Sequence, residues 1–146
     1  MNSVADVKQL VRKVLVDNTT VQALLGEGGA VYGDHPQAPD KTSIAMPCVI
    51  LDFQGGAGGY QGGFQHLPFD LYIYSRVSGD EADAVYDAVY EALHAQRLVS
   101  TVTKTGGALA NPTAGSVREV QRPTSGWNNE VDAWWSRGRW IASTAG

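Results

Sequence analysis

Apolar side chains at Val4, Val7, Leu10, Val11, Val14 and Leu15 recur every three or four positions, with Lys8, Arg12 and Lys13 on the other face. That period predicts an amphipathic helix of about 14 residues. Ser3 stands where a first turn needs a side-chain acceptor, with Asp6 three residues on as a capping-box-like partner. Thr19 or Thr20 is expected to cap a second, shorter turn carrying Val21, Leu24 and Leu25. Gly26 then stops it, because glycine takes the left-handed conformation that a helix end wants.

After Gly26 the period changes. Val31-Tyr32 suggests a short strand, and the segment from Gly33 to Pro47, with its three prolines, an extended connection. Cys48 to Phe53 is rich in β-formers and predicts a strand. Phe69, Leu71 and Ile73 alternate with Asp70, Tyr72 and Tyr74, which gives a second strand one aliphatic and one amphipathic face. The glycine-rich run Gly55–Gly63 joins the two as a hairpin.

Ser78 and Glu81 form a capping box that opens the clearest helix, with Ala82, Val85, Tyr86, Val89 and Leu93 as its buried stripe and an end near Gln96. Its N-terminal part is wholly acidic (Asp80, Glu81, Asp83, Asp87 and Glu91), which suits the positive end of the helix dipole. A loop is expected over Gly106–Gly115. Two more strands follow, Val117–Gln121 and Val131–Ile141, joined through Gly126-Trp127-Asn128-Asn129, with Gly138 marking a bulge. The order of elements predicts an α+β fold: a mainly antiparallel, mixed sheet of about four to five strands, with two main helices packed on one face.

Composition narrows the function. A chain of 146 residues suits one domain over 1–146, and 43% apolar with 18% charged residues excludes a disordered tail. No apolar run reaches the roughly 18 residues needed to cross a bilayer, and no basic segment leads into an apolar one at the N-terminus, so a cytoplasmic, soluble protein is expected. Cys48 is the single cysteine, which excludes an internal disulfide and a cysteine zinc site. The net charge of −4 argues against non-specific nucleic-acid binding. That charge is unevenly spread: residues 1–96 carry 5 basic and 12 acidic side chains, residues 97–146 carry 6 basic and 3 acidic.

Candidate chemistry is sparse. The glycine run leads into a strand and holds no lysine, so it lacks the design of a phosphate loop. His35, His66 and His94 have no metal-binding spacing, and His94 suits a helix C-terminus as a cation. Cys48 opens an apolar strand and is expected to be a buried, inert thiol. Asp52 and Asp70 can face one another across a hairpin, which alternating surface positions often produce. No catalytic set, cofactor site or metal site emerges. Trp134 and Trp135 must point to opposite faces of one strand, and Trp127 stands in the predicted turn. These aromatic residues are compatible with a doubly covered strand or with an interface.

The succession of an amphipathic helix, Val21-Gln22-Ala23-Leu24-Leu25-Gly26, Val31-Tyr32, His35-Pro36-Gln37-Ala38-Pro39, Pro47-Cys48-Val49-Ile50-Leu51, Phe69-Asp70-Leu71-Tyr72-Ile73-Tyr74-Ser75 and the helix from Asp80 to Gln96 resembles the tail terminator (tail completion) proteins of long-tailed bacteriophages. The resemblance covers roughly residues 4–96. It implies a small α+β subunit in a homo-hexameric ring that caps the tail tube at the head-proximal end of the virion tail. One face would bind the tail tube protein and stop polymerisation; the other would meet the head–tail connector or stopper protein, with genomic DNA passing through the pore without specific binding. No catalysis, cofactor or membrane is implied. A head-completion or connector-stopper ring is the alternative from the same setting; a small enzyme or a binding domain is the alternative from outside it. The charge split adds Asp80, Glu81, Asp83, Arg137, Arg139 and the aromatic Trp127 as candidate interface residues, with the acidic helix and the basic segment Arg118–Arg139 on complementary surfaces.

Overall fold

The structure, a computed structural model, describes residues 4–26, 30–32, 45–53, 60–61, 64–94, 96–98, 103–104, 107–108 and 115–145. The elements in chain order are α1 (Val4–Asp17), α2 (Thr19–Leu25), β1 (Ala30–Tyr32), β2 (Cys48–Phe53), β3 (Tyr60–Gln61), β4 (Phe64–Ser75), α3 (Gly79–Leu93), β5 (Gln96–Leu98), β6 (Thr103–Lys104), β7 (Gly107–Ala108), β8 (Gly115–Asn128) and β9 (Ala133–Ala145). The main sheet runs β1-β2-β4-β9-β8-β5, with β3 on the end of β4, while β6 and β7 pair separately. Only β1–β2 is parallel among the described pairings; the rest are antiparallel. The fold is therefore α+β, as expected. Its body is β1, β2, β4, β9 and β8, and the short β3 and β5 extend it. No described helix is long and apolar enough to cross a membrane.

The period-two pattern sorts the sheet into two faces. Val49, Leu51, Phe69, Leu71, Ile73, Trp140 and Ala142 form the buried layer together with Val7, Leu10, Val11 and Leu15 of α1, Val21 and Leu25 of α2, and Ala82, Val85, Tyr86, Val89 and Leu93 of α3. The other face carries a smaller cluster of Cys48, Ile50, Tyr74 and Ala133, with Tyr32, Met46, Tyr72, Val131 and Trp135 packed against it. The β2–β4 hairpin forms in the expected register, Asp52 opposite Asp70 included. Most of the glycine run that joins them, and most of the Gly33–Pro47 connection, lie outside the described residues, as do Ser3, His35 and most of the Gly106–Gly115 segment.

Four local expectations change. Asn18, not a threonine, caps α2: its Oδ1 accepts the Val21 N–H at 3.0 Å. Leu24 points outward, 42% exposed, while Gly26 ends the helix at φ 71° as anticipated. The capping box of α3 is half made. Ser78 Oγ accepts the Glu81 N–H at 3.0 Å, but the Glu81 carboxylate turns instead to the Ser75 hydroxyl, which donates to it at 2.8 Å and accepts from Val77 N–H. The helix stops at Leu93, with His94 as its cap and Gln96 already in β5.

The largest revision concerns β8 and β9. The strand β8 does not end near Gln121 but runs on to Asn128, and the turn moves to residues 129–132. Register shifts between Glu119 and Gln121, and between Gln121 and Thr124, let the strand carry Pro123, which has no N–H for a ladder. At Gly126 the Trp135 indole lies so close that an added Cβ would sit 2.6 Å from its Cζ2. Asn128 Oδ1 accepts the Glu130 N–H at 2.8 Å and fixes the turn entry, and Asp132 takes the left-handed conformation at φ 49°. Gly138 does mark the bulge: between Arg139, paired with Gln121, and Arg137, paired with Thr124, it stands opposite two residues of β8, while it keeps its register with Leu71. Its missing side chain makes room for Tyr86, whose hydroxyl would lie 1.8 Å from a Cβ there.

Candidate assembly interface

Two surfaces collect the candidate residues, one at each side of the sheet. The first lies where β4 ends, α3 begins and the β8–β9 hairpin turns. Trp127 and Trp134 face each other across the hairpin, edge to face with ring centroids 4.6 Å apart. Trp134 also touches Gly79, where an added Cβ would stand 3.5 Å from its Cδ1. It therefore lies on the helix side of the sheet, just beyond the first turn of α3. Val77, Trp127 and Trp134 are 71%, 46% and 36% exposed, a concentration of large apolar groups in water that a packed monomer does not need. Trp127 belongs to β8 rather than to the turn, and its indole N–H donates to Asn129 Oδ1 at 2.6 Å.

Asp80 and Asp83 border this patch. Asp80 is exposed in the first turn of α3, and Asp83 accepts from the Ser125 hydroxyl at 3.3 Å. Glu81 is engaged through Ser75, whose hydroxyl donates to its carboxylate at the start of the helix. Farther along, Asp87 and Glu91 continue an acidic stripe on the solvent side of α3, which contains no Lys or Arg.

The second surface lies on the sheet face opposite the helices. Asp70 is 1% exposed and receives one guanidinium on each oxygen: Arg137 Nη2 donates to Oδ2 at 2.9 Å and Arg139 Nε donates to Oδ1 at 3.2 Å. A buried carboxylate is tolerable only with such partners. The two arginine side chains remain 41% and 46% exposed. Arg137 also lies over the Tyr72 ring, 5.4 Å from its centroid. Burial works against the charge of Arg137, but the bond to Asp70 outweighs it and holds the guanidinium protonated more firmly than usual. Beside the pair is a recess of about 100 Å³ lined by Asp70, Gln121, Thr124, Arg137, Gly138 and Arg139, opened by the irregularity of β8.

The structure thus brings Asp80, Asp83 and Trp127 to one end, and Arg137 with Arg139 to the other face. Asp70, the residue that organises the arginines, was visible in the sequence only as a possible neighbour of Asp52; an acid in mid-strand facing two arginines of a pairing strand is the signal that finds it. Val77 carried no signal, since a lone valine before a cap is ordinary.

The remaining candidates are structural. Burial pushes the Cys48 thiol up to about 12, as suits an inert core group. The ring of His94, the cap of α3, stacks on Tyr90 with centroids 4.6 Å apart, and its Nδ1 accepts the Glu119 N–H at 3.3 Å. His66 Nδ1 meets Ser143 Oγ at 2.7 Å. Among the described residues no three His, Cys, Asp or Glu side chains come together as metal ligands.

Comparison with known proteins agrees with this architecture. The sequence profile of the family described as Tail completion protein gp17 matches residues 9–133. Among solved structures, a chain of the "Virion of native gene transfer agent (GTA) particle" is similar, with a TM-score of 0.68 at 19% identity over 97% of this chain and 96% of that one. That likeness shows a shared fold. A search of curated protein sequences gave no match.

Proposed function

The chain belongs to the tail completion protein family, structural phage tail proteins and not enzymes, and from that premise we propose that it forms a ring capping the tail tube. In this reading residues 1–146 are one tail-terminator-like domain. Six copies close a ring at the head-proximal end of the tail, end tube polymerisation by occupying the last growth surface, and offer the opposite surface to the head–tail connector or stopper. Genomic DNA passes through the pore unbound. The action is steric and stoichiometric.

The observation that best supports this reading is the exposed group of Val77, Trp127 and Trp134. Indole rings in water are unfavourable by roughly 25 cal/mol per Å² of apolar area, and burying them needs another chain. The acidic border of Asp80 and Asp83 gives that contact an orientation.

The test is to add the purified protein to polymerising tail tube protein and measure tube length and native mass. The expected result is a ring of six 15.6 kDa subunits and tubes that stop growing once capped. The variant Trp127→Ala/Trp134→Ala should fold and fail to cap. Tubes that grow unchanged and bind none of the protein would overturn the reading. Binding to the connector alone would instead make it a head-completion ring.

A further inference from the structure

We propose that the recess beside Arg137 and Arg139 is a carboxylate receptor for the acidic stripe of α3 on a second copy of this chain, so that neighbouring subunits join helix to sheet, head to tail. This rests on the ring reading above and adds to it which surfaces meet.

The receptor is built before any partner arrives. Asp70 is buried, and each of its oxygens fixes one arginine through a single nitrogen. That leaves most N–H donors of both guanidiniums for another acceptor. The planar fork of a guanidinium suits a carboxylate, and holding it in place beforehand removes much of the entropy cost of ordering it on contact. Gly138 lies between the two arginines in β9, opposite the register shift of β8, and the recess that these residues line with Gln121 and Thr124 leaves space for the tip of an acidic side chain. Asp52 sits beside Asp70 across the β2–β4 ladder and balances part of the positive charge. Arg118 lies on the same face, in register with Ile141 next to Arg139, and restores the excess.

The occupant follows from charge and topology. Asp80, Asp83, Asp87 and Glu91 are exposed at spacings of three and four along α3; Asp83 lies on the flank against Ser125 of β8, and Asp80, Asp87 and Glu91 lie on the side opposite the buried face of the helix. The receptor is on the other face of that same sheet, so one molecule cannot bring the two together. Two copies stacked helix to sheet can. Such a contact uses different patches on each partner, and contacts of that kind close into rings when the rotation permits.

The test uses two variants that spare the Asp70 network. In the helix variant Asp87→Lys/Glu91→Lys the stripe is reversed away from the tryptophan patch; in the recess variant Gln121→Glu/Thr124→Glu two exposed residues at the recess rim become acidic. Ring formation, in solution or at tube ends, is measured at low and high salt. Each variant alone should associate at least about tenfold more weakly, the scale of a lost or opposed charge pair. Mixed together, each still has one good surface, so they should form a dimer of twice the subunit mass and no ring. Wild-type association should weaken with salt. Unchanged rings from the helix variant would overturn the proposal and leave the ring reading standing. Intact rings that no longer cap tubes would assign the recess to a different acidic partner and overturn it equally. A wild-type protein that forms no ring in solution or on tubes would defeat the ring reading itself.

Discussion

Trp134 and Trp140 stand six positions apart on the same strand and on the same face of the sheet, yet one is 36% exposed and the other fully buried. The difference is what lies above them. Trp140 sits under the middle and end of α3, with Phe69, Tyr86, Tyr90 and His94 ringed about it at centroid distances of 6.0–6.4 Å. Its indole N–H donates to Tyr86 Oη at 3.0 Å, and that hydroxyl donates to Glu119 Oε2 at 2.6 Å. Trp134 lies past the start of the helix, against Gly79 and Trp127. The buried tryptophan closes a core; the exposed one contributes little to the monomer. A residue type so expensive to leave in water, placed outside the subunit's own core, is what the proposed assembly surface requires.

The largest effects should come from the Trp140 end. Trp140→Ala removes the centre of the ring cluster and should cost about 3–5 kcal/mol, read as a fall in unfolding midpoint in denaturant. Gly138→Ala belongs to the same region. Its new Cβ would overlap the Tyr86 hydroxyl at 1.8 Å and the ring carbon behind it at 2.7 Å, and overpacking of that kind costs about 1–3 kcal/mol or more. Adding Tyr86→Phe should relieve only part of this, because the ring carbon remains too close. If Trp134→Ala were to destabilise the subunit as much as Trp140→Ala, the distinction between the two ends would fail.

Tyr86→Phe alone should cost about 1–3 kcal/mol, since it leaves the Trp140 N–H and the Glu119 carboxylate without their shared partner. The same hydroxyl sets an alkaline limit. Burial raises the Tyr86 pKa, and the bond to Glu119 raises it further. An unfolded tyrosine loses its proton near pH 10. The folded protein keeps it, so this contribution is complete below about pH 10 and is lost as pH rises toward the folded value. Urea midpoints measured upward from pH 9 should therefore fall, and Tyr86→Phe should flatten part of that slope. An equal slope in both proteins would contradict the assignment of that proton to Tyr86.

Much of the fold was legible because its signals are local and periodic. The stripes of α1 and α3, the alternation in β4 and the Asp52–Asp70 register all follow from spacing. What was not legible depends on contacts between distant residues. Pro123 and Gly126 look like strand breakers until the irregular β8 and the Trp135 indole explain them. Gly138 marks the bulge between β8 and β9, but the need for glycine there comes from Tyr86 placed over it. The candidate site behaved the same way. Asp80, Asp83 and Trp127 do gather at one end, but Glu81 is drawn inward by Ser75, and Arg137 with Arg139 is organised by a carboxylate 67 and 69 positions away. Charge counted along a sequence cannot show which charges are already paired.

A smaller effect should separate the exposed end cleanly. Trp134→Ala and Trp127→Ala should each lower monomer stability by less than about 1 kcal/mol, since the rings mainly touch each other in partial contact with solvent. Stability near wild type in a protein that no longer caps tubes is the combination that an assembly surface requires and a core position does not allow.

Between the two tryptophans lies the smallest and most discriminating change. Ser136 shares their face of β9, is fully buried, and its hydroxyl has no hydrogen-bond partner among the described residues. A buried hydroxyl left unpaired carries a desolvation cost of about 1–3 kcal/mol, which alanine would remove at the loss of only one oxygen's packing. Ser136→Ala should therefore leave stability unchanged or raise it by up to about 1 kcal/mol, in contrast to every other substitution on this strip. A clear loss of stability would mean that the hydroxyl is satisfied by a water bound beneath α3. The interior would then be wetter toward Trp134 than toward Trp140, and the boundary between core and assembly surface would have to be drawn nearer to Gly138.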